Sequence, residues 1–299
     1  MELFDSPEDA AEWCAARRGR GAQGAQDERT LGFVPTMGAL HAGHDALVAR
    51  SVRENAASCV SVFVNPLQFD DPRDFERYPR DLETDARRLA ELGVDMAFTG
   101  TLETFFPSAI GPDGRLSPAL RVAPGPGALG LEGALRPGHF EGVATIVDRL
   151  FSIVEPTRAY FGQKDWQQTV VVRELARRRG GPELVVCETV RAADGLALSS
   201  RNALLDPRAR RDALALPRAL EAAASAWERG AREAAELARA MRAVLEASPL
   251  EIDYAEARDA KRWSPEPPAE PLRTAVCLVA ARAGGVRLID NRLLGTEAA

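Results

Sequence analysis

The fold is most readily inferred from the stretch Thr30-Leu-Gly-Phe-Val-Pro-Thr-Met-Gly-Ala-Leu-His-Ala-Gly-His44. Its first five residues predict a short buried strand that ends at Pro35, because an apolar run meets a residue without a backbone N–H group. A helical pattern then runs from about Gly43 to Asn55. The turn between the two elements contains Gly38 and His41. The stretch therefore predicts a strand–turn–helix unit of an α/β fold.

The same alternation of strand and helix patterns continues as far as residue 188. Helix patterns of ten or more residues between strands favour a parallel sheet with helices on both faces. The segment 100–138 is rich in glycine and proline and predicts a long loop with little regular structure. The strand patterns lie at 59–64, 94–98, 158–161 and 183–188, and the helix patterns lie at 81–92, 140–154 and 166–178.

Beyond about residue 190 the pattern changes. Residues 207–245 are rich in Ala, Arg and Glu and contain two helical patterns. Three short apolar runs follow, near 252, at 276–279 and at 286–289. We therefore predict an α/β domain over residues 1–188 and a smaller α+β domain over residues 189–299.

The composition is typical of a soluble globular protein. Hydrophobic residues make up 45% and charged residues 27% of the 299, and no apolar run approaches the ~18 residues that cross a bilayer. A net charge of −6 argues against a nucleic-acid partner, which normally requires a basic surface. The acidic N-terminus lacks the order of a signal peptide, and four scattered cysteines indicate neither a zinc site nor disulfides. We expect a cytoplasmic protein without membrane or nucleic-acid partners.

The pair His41 and His44 is the clearest indication of function, since the chain has only three histidines. Both lie at a predicted helix start, where backbone N–H groups and the helix dipole favour phosphate. Imidazoles at this point can donate hydrogen bonds to phosphate oxygens as charge develops in a transition state. The alternatives are a plain helix start and a zinc site, although no third Cys or His ligand lies nearby. The glycines and the preceding strand favour phosphate.

A second glycine motif, Gly125-Pro-Gly-Ala-Leu-Gly130, matches the dinucleotide fingerprint in its letters only. That fingerprint requires a strand before it and a helix after it, and the sequence predicts neither here. The chain also contains no GxxxxGK[ST] motif. A dinucleotide fold and a P-loop are therefore not predicted.

Seven segments resemble the pantoate–β-alanine ligase (pantothenate synthetase) family, in the family's order and along nearly the whole chain. This family belongs to the nucleotidyl transferases with a His-x-Gly-His motif, which the histidine pair fits. The segments are PTMGALHAGH at 35–44, FVNPLQF at 63–69, RYPRD at 77–81, RPGHF with GV at 136–143, FGQKD with QQ at 161–168, ADGLALSSRN at 193–202 and RLIDN at 287–291.

The resemblance implies a fold, a reaction and partners. The implied fold is a Rossmann-like N-terminal domain with the C-terminal domain as a lid, and the implied assembly is a homodimer. In the implied reaction, the carboxylate of (R)-pantoate attacks the α-phosphate of ATP and gives pantoyl adenylate and pyrophosphate. The amine of β-alanine then attacks the acyl carbon and gives pantothenate and AMP. Mg²⁺ accompanies ATP, and its protein ligands are left unknown.

Residue roles follow from the same resemblance. His44 is expected to be catalytic, as a proton donor that neutralises charge on the leaving pyrophosphate. Gln68 and Gln168 are expected to bind pantoate, with Gln68 also bordering the β-alanine site. Asn65 and Tyr78 are expected to line the site. The residues expected to bind ATP are Met37, Gly38, Ala39, Leu40, His41, Ala42, Gly43, His44, Gly162, Gln163, Lys164, Asp165, Val190, Leu198, Ser199, Ser200 and Arg201.

Some of these residues also fit plainer roles or depart from the family pattern. Lys164 and Asp165 fit a surface ion pair, and Ser199 fits a helix cap. Asp45 follows the histidine motif, where a small or apolar residue is usual. An acidic residue is favourable in the first turn of a helix, because it interacts with the positive end of the helix dipole. His139 is assigned no role.

Three other protein classes stay open at this stage. Another HxGH nucleotidyl transferase would need extra basic residues for a second phosphate, and an aminoacyl-tRNA synthetase would need a tRNA-binding domain. A non-catalytic nucleotide-binding regulator would not need to retain His41, His44, Lys164 and Arg201 together. Where some relatives have two carboxylates this chain has only Asp85, so we assign no magnesium ligand there.

Overall fold

The computed structural model describes residues 1–18, 30–70 and 72–295, which form two compact units. The longest segment of the second unit begins at Glu188. The division into domains at residue 188 stays a prediction. The first unit comprises Met1–Ala128, Gly133–Gly162 and Gln167–Cys187, and the second comprises Leu129–Glu132, Gln163–Trp166 and Glu188–Ala299.

A parallel sheet of six strands forms the centre of the first unit, as predicted. Its strands are β1 (Glu2–Phe4), β2 (Leu31–Thr36), β3 (Ala57–Val62), β4 (Met96–Phe98), β5 (Arg158–Gly162) and β6 (Glu183–Cys187). They lie in the order β1–β4–β3–β2–β5–β6, and every pair is parallel. The strand order reverses between β2 and β5, and open α/β sheets bind ligands at the carboxyl ends of strands at such a point.

Helices cover both faces of this sheet. Because successive strand residues point to opposite faces, Phe33 packs in one cluster with Trp13 and Phe151, whereas Val34 packs in the other with Val48 and Leu89. Burial on both faces explains why the strands read as continuous apolar runs. The helices up to residue 187 are α1 (Pro7–Arg18), α2 (Ala42–Glu54), α3 (Pro72–Arg77), α4 (Leu82–Glu91), α5 (Leu102–Phe105), α6 (Leu131–Leu135), α7 (His139–Val154) and α8 (Trp166–Arg179).

β2 continues through Pro35 to Thr36, so the prediction that it ends at this proline was wrong. The Thr36 carbonyl accepts from Phe63 N–H at 3.1 Å on the β3 side, and the alternating pleat therefore turns Pro35 toward β5. β5 pairs with β2 only at Gly32 and Phe33. Since Pro35 lies beyond that ladder, its missing N–H group breaks no strand pairing.

The segment 100–138 contains more regular structure than predicted. It includes the helices α5 and α6, and 3-10 turns lie at 118–120 and 126–128. One of its glycines serves packing, because a Cβ on Gly133 would lie 1.6 Å from the Ala128 carbonyl oxygen. No strand precedes the Gly125–Gly130 motif, as predicted, but α6 begins directly after it at Leu131, so the prediction that no helix follows was wrong. Glycine in this segment therefore serves close packing as well as turns.

Two N-terminal elements, β1 and α1, were not predicted. β1 is three residues long and lies at the edge of the sheet, where it pairs with β4. The buried face of α1 consists of Pro7, Ala10, Trp13 and Cys14, but the exposed side also carries apolar residues, Ala15 and Ala16, so the contrast between the two faces is weak. Neither element gives a strong local signal.

The second unit contains an antiparallel sheet in the order β7–β8–β9 packed against helices, which confirms the α+β class. Cys277, Val279 and Ala281 of the central strand share one core with Leu216 and Leu237. Three helices are present where two patterns were predicted. The elements are α9 (Pro207–Ala213), α10 (Ala215–Glu228), α11 (Ala234–Glu246), β7 (Glu251–Asp259), β8 (Ala275–Ala283) and β9 (Val286–Leu294).

Candidate active site

The histidine motif forms the turn between β2 and α2, at the carboxyl end of a central strand of the sheet. Gly38 and Ala39 have φ angles of +78° and +51°, a left-handed conformation that glycine adopts freely and that costs alanine roughly 1–2 kcal/mol. A Cβ on Gly38 would also lie 2.9 Å from Oδ2 of Asp85. Glycine is therefore required here for conformation and for the close approach of a carboxylate.

The Asp85 carboxylate holds this turn in place. Asp85 lies on α4 and is 4% exposed, and its two oxygens accept from Ala39 N–H and Leu40 N–H at 2.9 Å each. Two charge-assisted hydrogen bonds stabilise the left-handed backbone and satisfy the buried carboxylate. From the sequence, Asp85 was considered only as a possible magnesium ligand, and its structural role was not predicted.

His41 and His44 cap α2 reciprocally. His41 Nδ1 accepts from Gly43 N–H at 3.1 Å, His44 Nδ1 accepts from His41 N–H at 3.3 Å, and the ring centroids are 4.1 Å apart. Because a backbone N–H group can only donate, both Nδ1 atoms are acceptors and both rings carry their proton on Nε2. An imidazolium would have no acceptor nitrogen for this cap. In this cap each ring has Nε2–H as its donor, and the proton-donor role expected for His44 stays a prediction.

Several backbone N–H groups near the histidine motif are already bonded within the protein. Besides those of Ala39, Leu40 and Gly43, the N–H group of His44 donates to the His41 carbonyl at 2.7 Å. The expectation of free backbone donors for phosphate is corrected to this extent. Phosphate binding by this turn, which stays a prediction, would rest on the imidazole rings and the positive end of the α2 dipole.

Asp45 forms an ion pair with α4. Both its oxygens lie 2.6 Å from Arg88, one from Nε and one from a terminal nitrogen. Hydrogen bonding to Asp45 raises the pKa of the Arg88 guanidinium above its usual value. Since Asp85 and Arg88 are three residues apart on one helix, a single face of α4 contacts both the turn and the first turn of α2.

Gln68 lies in a 3-10 turn directly after β3, and both ends of its amide are bonded. Its Nε2 donates to Met37 Sδ at 2.9 Å, and its Oε1 accepts from Asn65 Nδ2 at 3.1 Å. Asn65 is 1% exposed and also caps the turn by accepting from Leu67 N–H. The structure thus brings Met37 and Gln68 together, and Asn65 lies beneath Gln68 and fixes the orientation of its amide.

The start of α7 supports the same turn from the other side. The Gln68 carbonyl accepts from His139 Nδ1 at 2.8 Å and from Arg136 at 3.1 Å. A Cβ on Gly142 would lie 2.1 Å from the Leu67 carbonyl oxygen, so helix and turn touch backbone to backbone. His139, which was assigned no role, therefore positions Gln68. Its Nε2 lies 3.2 Å from Arg136, which can only donate, so this ring carries its proton on Nδ1.

The remaining predicted residues of the first unit lie near the carboxyl ends of the strands. Gly162 ends β5, and a Cβ there would meet no atom within 4 Å. Gln168 is half-buried in the first turn of α8, next to Gln167, whose Nε2 donates to the Gly127 carbonyl at 3.0 Å. Tyr78 stacks edge-on against Phe69, with centroids 5.6 Å apart.

A cavity of about 500 Å³ opens at the carboxyl ends of β2, β3 and β4. Met37 and Gly38 line it, so it begins at the histidine turn. Its walls are mostly apolar, with Arg80, Asp81 and Asp85 among the charged residues. Concave space of this size at the carboxyl ends of parallel strands fits a small-molecule site.

In the second unit, Gln163 to Asp165 form a single 3-10 turn. Lys164 Nζ lies 3.4 Å from Asp165 Oδ1, so the ion pair that was weighed as an alternative exists. The Gln163 and Lys164 carbonyls both accept from Asn291 Nδ2, at 2.9 and 2.8 Å. A nucleotide role for Lys164 stays a prediction.

The second predicted phosphate segment of this unit follows a short hairpin. Leu198 N–H donates to the Val190 carbonyl at 2.9 Å. Ser199 Oγ accepts from Arg201 N–H at 3.3 Å and caps the 3-10 helix Ser200–Leu204. The helix-cap interpretation of Ser199 is therefore confirmed, and ATP binding by residues 199–201 stays a prediction.

The described residues contain no cluster of three or more His, Cys, Asp or Glu side chains that could hold a metal ion. The four cysteines are buried free thiols. Within the described ranges, no helix has the length and apolar character to span a bilayer.

Comparison with known proteins decides the family. A family model described as pantoate-beta-alanine ligase matches residues 2–293. The chain belongs to this family. Pantothenate synthetase from Rubrobacter xylanophilus is 48% identical over 298 residues, which are 98% of each chain. The pantothenate synthetase of Gluconobacter oxydans is 49% identical over 264 residues, 88% of this chain and 92% of the relative.

Solved structures of family members share the fold. Pantothenate synthetase from Thermus thermophilus matches with a TM-score of 0.83 and 43% identity, over 98% of this chain and 99% of that one. The enzyme from Francisella tularensis, complexed with beta-gamma ATP and beta-alanine, matches with a TM-score of 0.74 and 31% identity, over 98% and 97%. The predicted resemblance and Rossmann-like fold are confirmed. Family membership makes the chain a ligase and sets aside the other classes of protein.

Proposed function

We propose that the protein condenses (R)-pantoate with β-alanine, using ATP, and forms pantothenate, AMP and pyrophosphate through pantoyl adenylate. The observation that carries this proposal is the joined pair of turns in the first unit. One turn presents two imidazole Nε2–H donors, and the other presents the Gln68 amide, bonded to Met37 of the first turn at 2.9 Å. In this proposal the histidine turn binds phosphate, and the neighbouring Gln68 amide, which is uncharged, binds hydroxyl and carboxylate groups.

In the first step, a pantoate carboxylate oxygen bonds to the α-phosphorus of ATP. The bond from that phosphorus to the bridging oxygen breaks, and the electron pair leaves with pyrophosphate. Nε2–H donors of His41 and His44 stabilise the charge that grows on the phosphate oxygens. Their reciprocal cap holds both rings before ATP binds, so little reorganisation is required.

The acid is held by uncharged groups. The Gln68 amide hydrogen-bonds a carboxylate or hydroxyl without forming an ion pair that would weaken the nucleophile. Asn65 and Met37 fix its orientation. Gln168, at the start of α8, is the second amide of this kind.

In the second step, the β-alanine amine bonds to the acyl carbon, and the bond from that carbon to the AMP oxygen breaks. AMP leaves with the electron pair, and the nitrogen releases a proton. Residues of the second unit, Lys164, Ser199, Ser200 and Arg201, bind ATP phosphates in this proposal through cationic and hydroxyl donors.

Mg²⁺ enters with ATP as part of the substrate complex. Mg²⁺ in nucleotide sites is often held largely by phosphates and water, and the described residues offer no carboxylate cluster for it. Asp85 is committed to two backbone N–H groups. A homodimer, a lid role for residues 189–299 and a cytoplasmic location are further proposals taken from the family resemblance.

Isotope transfer tests the reaction and its intermediate together. The full chain is incubated with MgATP, β-alanine and pantoate labelled with ¹⁸O in its carboxylate. Attack on the α-phosphorus leaves one labelled oxygen on AMP, whereas an acyl-phosphate route gives ADP and labelled inorganic phosphate. Unlabelled AMP, or AMP formation indifferent to pantoate across a panel of small acids, would overturn the proposal.

A further inference from the structure

β9 carries a buried polar pair, Asp290 and Asn291, that the proposed reaction does not use. Each residue is 2% exposed. Burying a carboxylate and an amide is unfavourable unless both are fully hydrogen-bonded. The partners of the two side chains therefore indicate what the pair is for.

Asn291 holds the turn that carries Lys164. Its Nδ2 donates to the carbonyls of Gln163 and Lys164 at 2.9 and 2.8 Å, and its Oδ1 accepts from Gln163 Nε2 at 3.2 Å. One side chain thus fixes two successive peptide groups. Because those peptide groups set the direction of the Lys164 side chain, Asn291 controls where the ammonium can reach.

Asp290 holds the hairpin that leads to Ser199. Its two oxygens accept from Arg191 at 2.7 and 3.0 Å, and Oδ1 also accepts from Asn291 N–H at 2.8 Å. Arg191 in turn donates to the Gly195 carbonyl at 3.1 Å, and its backbone pairs with Ala197. The bidentate ion pair therefore braces the hairpin on the strand that also holds the Lys164 turn.

We propose that Asp290 and Asn291 are positioning residues. They hold the Lys164 turn and the 190–201 segment at a fixed position relative to each other, so that both can contact the phosphates of ATP. This inference rests on the proposed ATP contacts of those two segments. Two adjacent residues of one strand hold both segments. Substitution of either residue would therefore change the distance between Lys164 and residues 199–201, which are proposed to bind the phosphates. A purely structural role would lower stability without acting through Lys164.

The test measures ATP affinity by calorimetry and kcat/KM for ATP on the full chain, for wild type, N291A, K164A and the double variant. We expect N291A to weaken ATP binding and lower kcat/KM for ATP by about 10- to 100-fold, as misplacement of a phosphate ligand would. In the K164A background the further loss should be below about threefold, because coupled residues are not additive. N291S, which keeps one donor, should lie between wild type and N291A.

R258M is the matched control. Arg258 is 3% exposed on β7 and donates to the carbonyls of Ser264 and Pro265, which have no proposed ATP role. We expect R258M to lower the unfolding midpoint at least as much as N291A, with the ATP affinity of the folded protein unchanged.

The inference is overturned if N291A costs as much in the K164A background as alone, or if R258M and N291A weaken ATP binding equally. Wild type that binds ATP but forms no AMP with pantoate would refute the proposed function alone, since ATP affinity still decides the role of Asn291. N291S serves if N291A does not fold, and an ATP affinity equal to that of wild type in N291S overturns the inference as well.

Discussion

The two turns expected to meet the nucleotide, 37–44 in the first unit and 163–165 in the second, are held by opposite kinds of contact. In the first turn, backbone N–H groups donate to a carboxylate, Asp85, and to the histidine rings. In the second, backbone carbonyls accept from an amide, Asn291. In both turns, side-chain hydrogen bonds thus fix the backbone.

The difference lies in charge and strain. The first turn contains a left-handed alanine at φ +51° and a buried carboxylate, so it stores strain close to the proposed reacting phosphate. The second is an ordinary 3-10 turn with a neutral anchor. Substitutions that disturb the first turn should therefore lower mainly kcat, and substitutions that disturb the second turn should weaken mainly ATP binding.

The largest effect is expected from H44A. Losing a preorganised Nε2–H donor should lower kcat by roughly 10²–10³-fold, and losing the cap should cost about 1 kcal/mol of stability. H44Q is the matched control, because glutamine can also accept from His41 N–H at this position of a capping box. Steady-state kinetics and denaturant unfolding separate the two losses. A kcat for H44A within a fewfold of wild type would break the assigned role.

D85N tests whether the carboxylate anchor of the first turn matters for turnover. The amide retains one acceptor and directs an NH₂ group at a backbone N–H group, so we expect a stability loss of about 1–3 kcal/mol. The released left-handed turn should also lower kcat by about 10- to 100-fold with a smaller change in KM for ATP. Loss of ATP affinity at unchanged kcat would reverse the comparison between the two turns.

G142A tests the support of Gln68. Its Cβ would overlap the Leu67 carbonyl oxygen, so the turn must shift, at a cost of about 1–3 kcal/mol in the free energy of unfolding. We expect KM for pantoate to rise while ATP affinity is preserved. A144G, in the same helix, is a control for the loss of helix stability without this clash. Equal KM values for pantoate in the two variants would contradict the role of the α7–turn contact.

D45A should have the smallest effect. The Asp45–Arg88 pair is bidentate, but its side chains are 27% and 37% exposed, so we expect at most about 1 kcal/mol of stability. Salt should weaken this contribution. Turnover should stay near that of wild type, since Asp85 still holds the turn. A kcat loss as large as that of D85N would contradict this expectation, because it would show that Asp85 alone does not hold the turn.

Much of the fold could be predicted because the signals were local. The runs that became β2, β3 and β5 are apolar, and the helices between them have clear periodicity, so a parallel sheet followed. β1 and α1 were missed, since a three-residue edge strand and a helix with a weak apolar face depend on tertiary contacts. Pro35 misled the prediction, because only the tertiary structure shows that the β2–β5 ladder ends at Phe33, before the missing N–H group of Pro35 would be needed.

The candidate site divides in the same way. His41, His44 and Gln68 were identified from sequence, since family motifs place them. Asn65 was expected only to line the site. The supporting roles of Asp85, Asn65 and His139 were not predicted, because each depends on a contact with another element. The tautomers show the limit most clearly. His44 carries its proton on Nε2 and His139 on Nδ1, and each assignment follows from the hydrogen-bond partners of the ring.

By itself, the sequence determined the α/β and α+β classes, the family and the residue types of the site, because periodicity and motifs are properties of neighbouring residues. Only the tertiary structure decided which groups stay available to a ligand. Asp85 occupies two N–H groups 45 and 46 positions away, and Asn291 occupies two carbonyls 127 and 128 positions away. Hydrogen-bond capacity is limited, so the role of each turn depends on partners that only folding brings together.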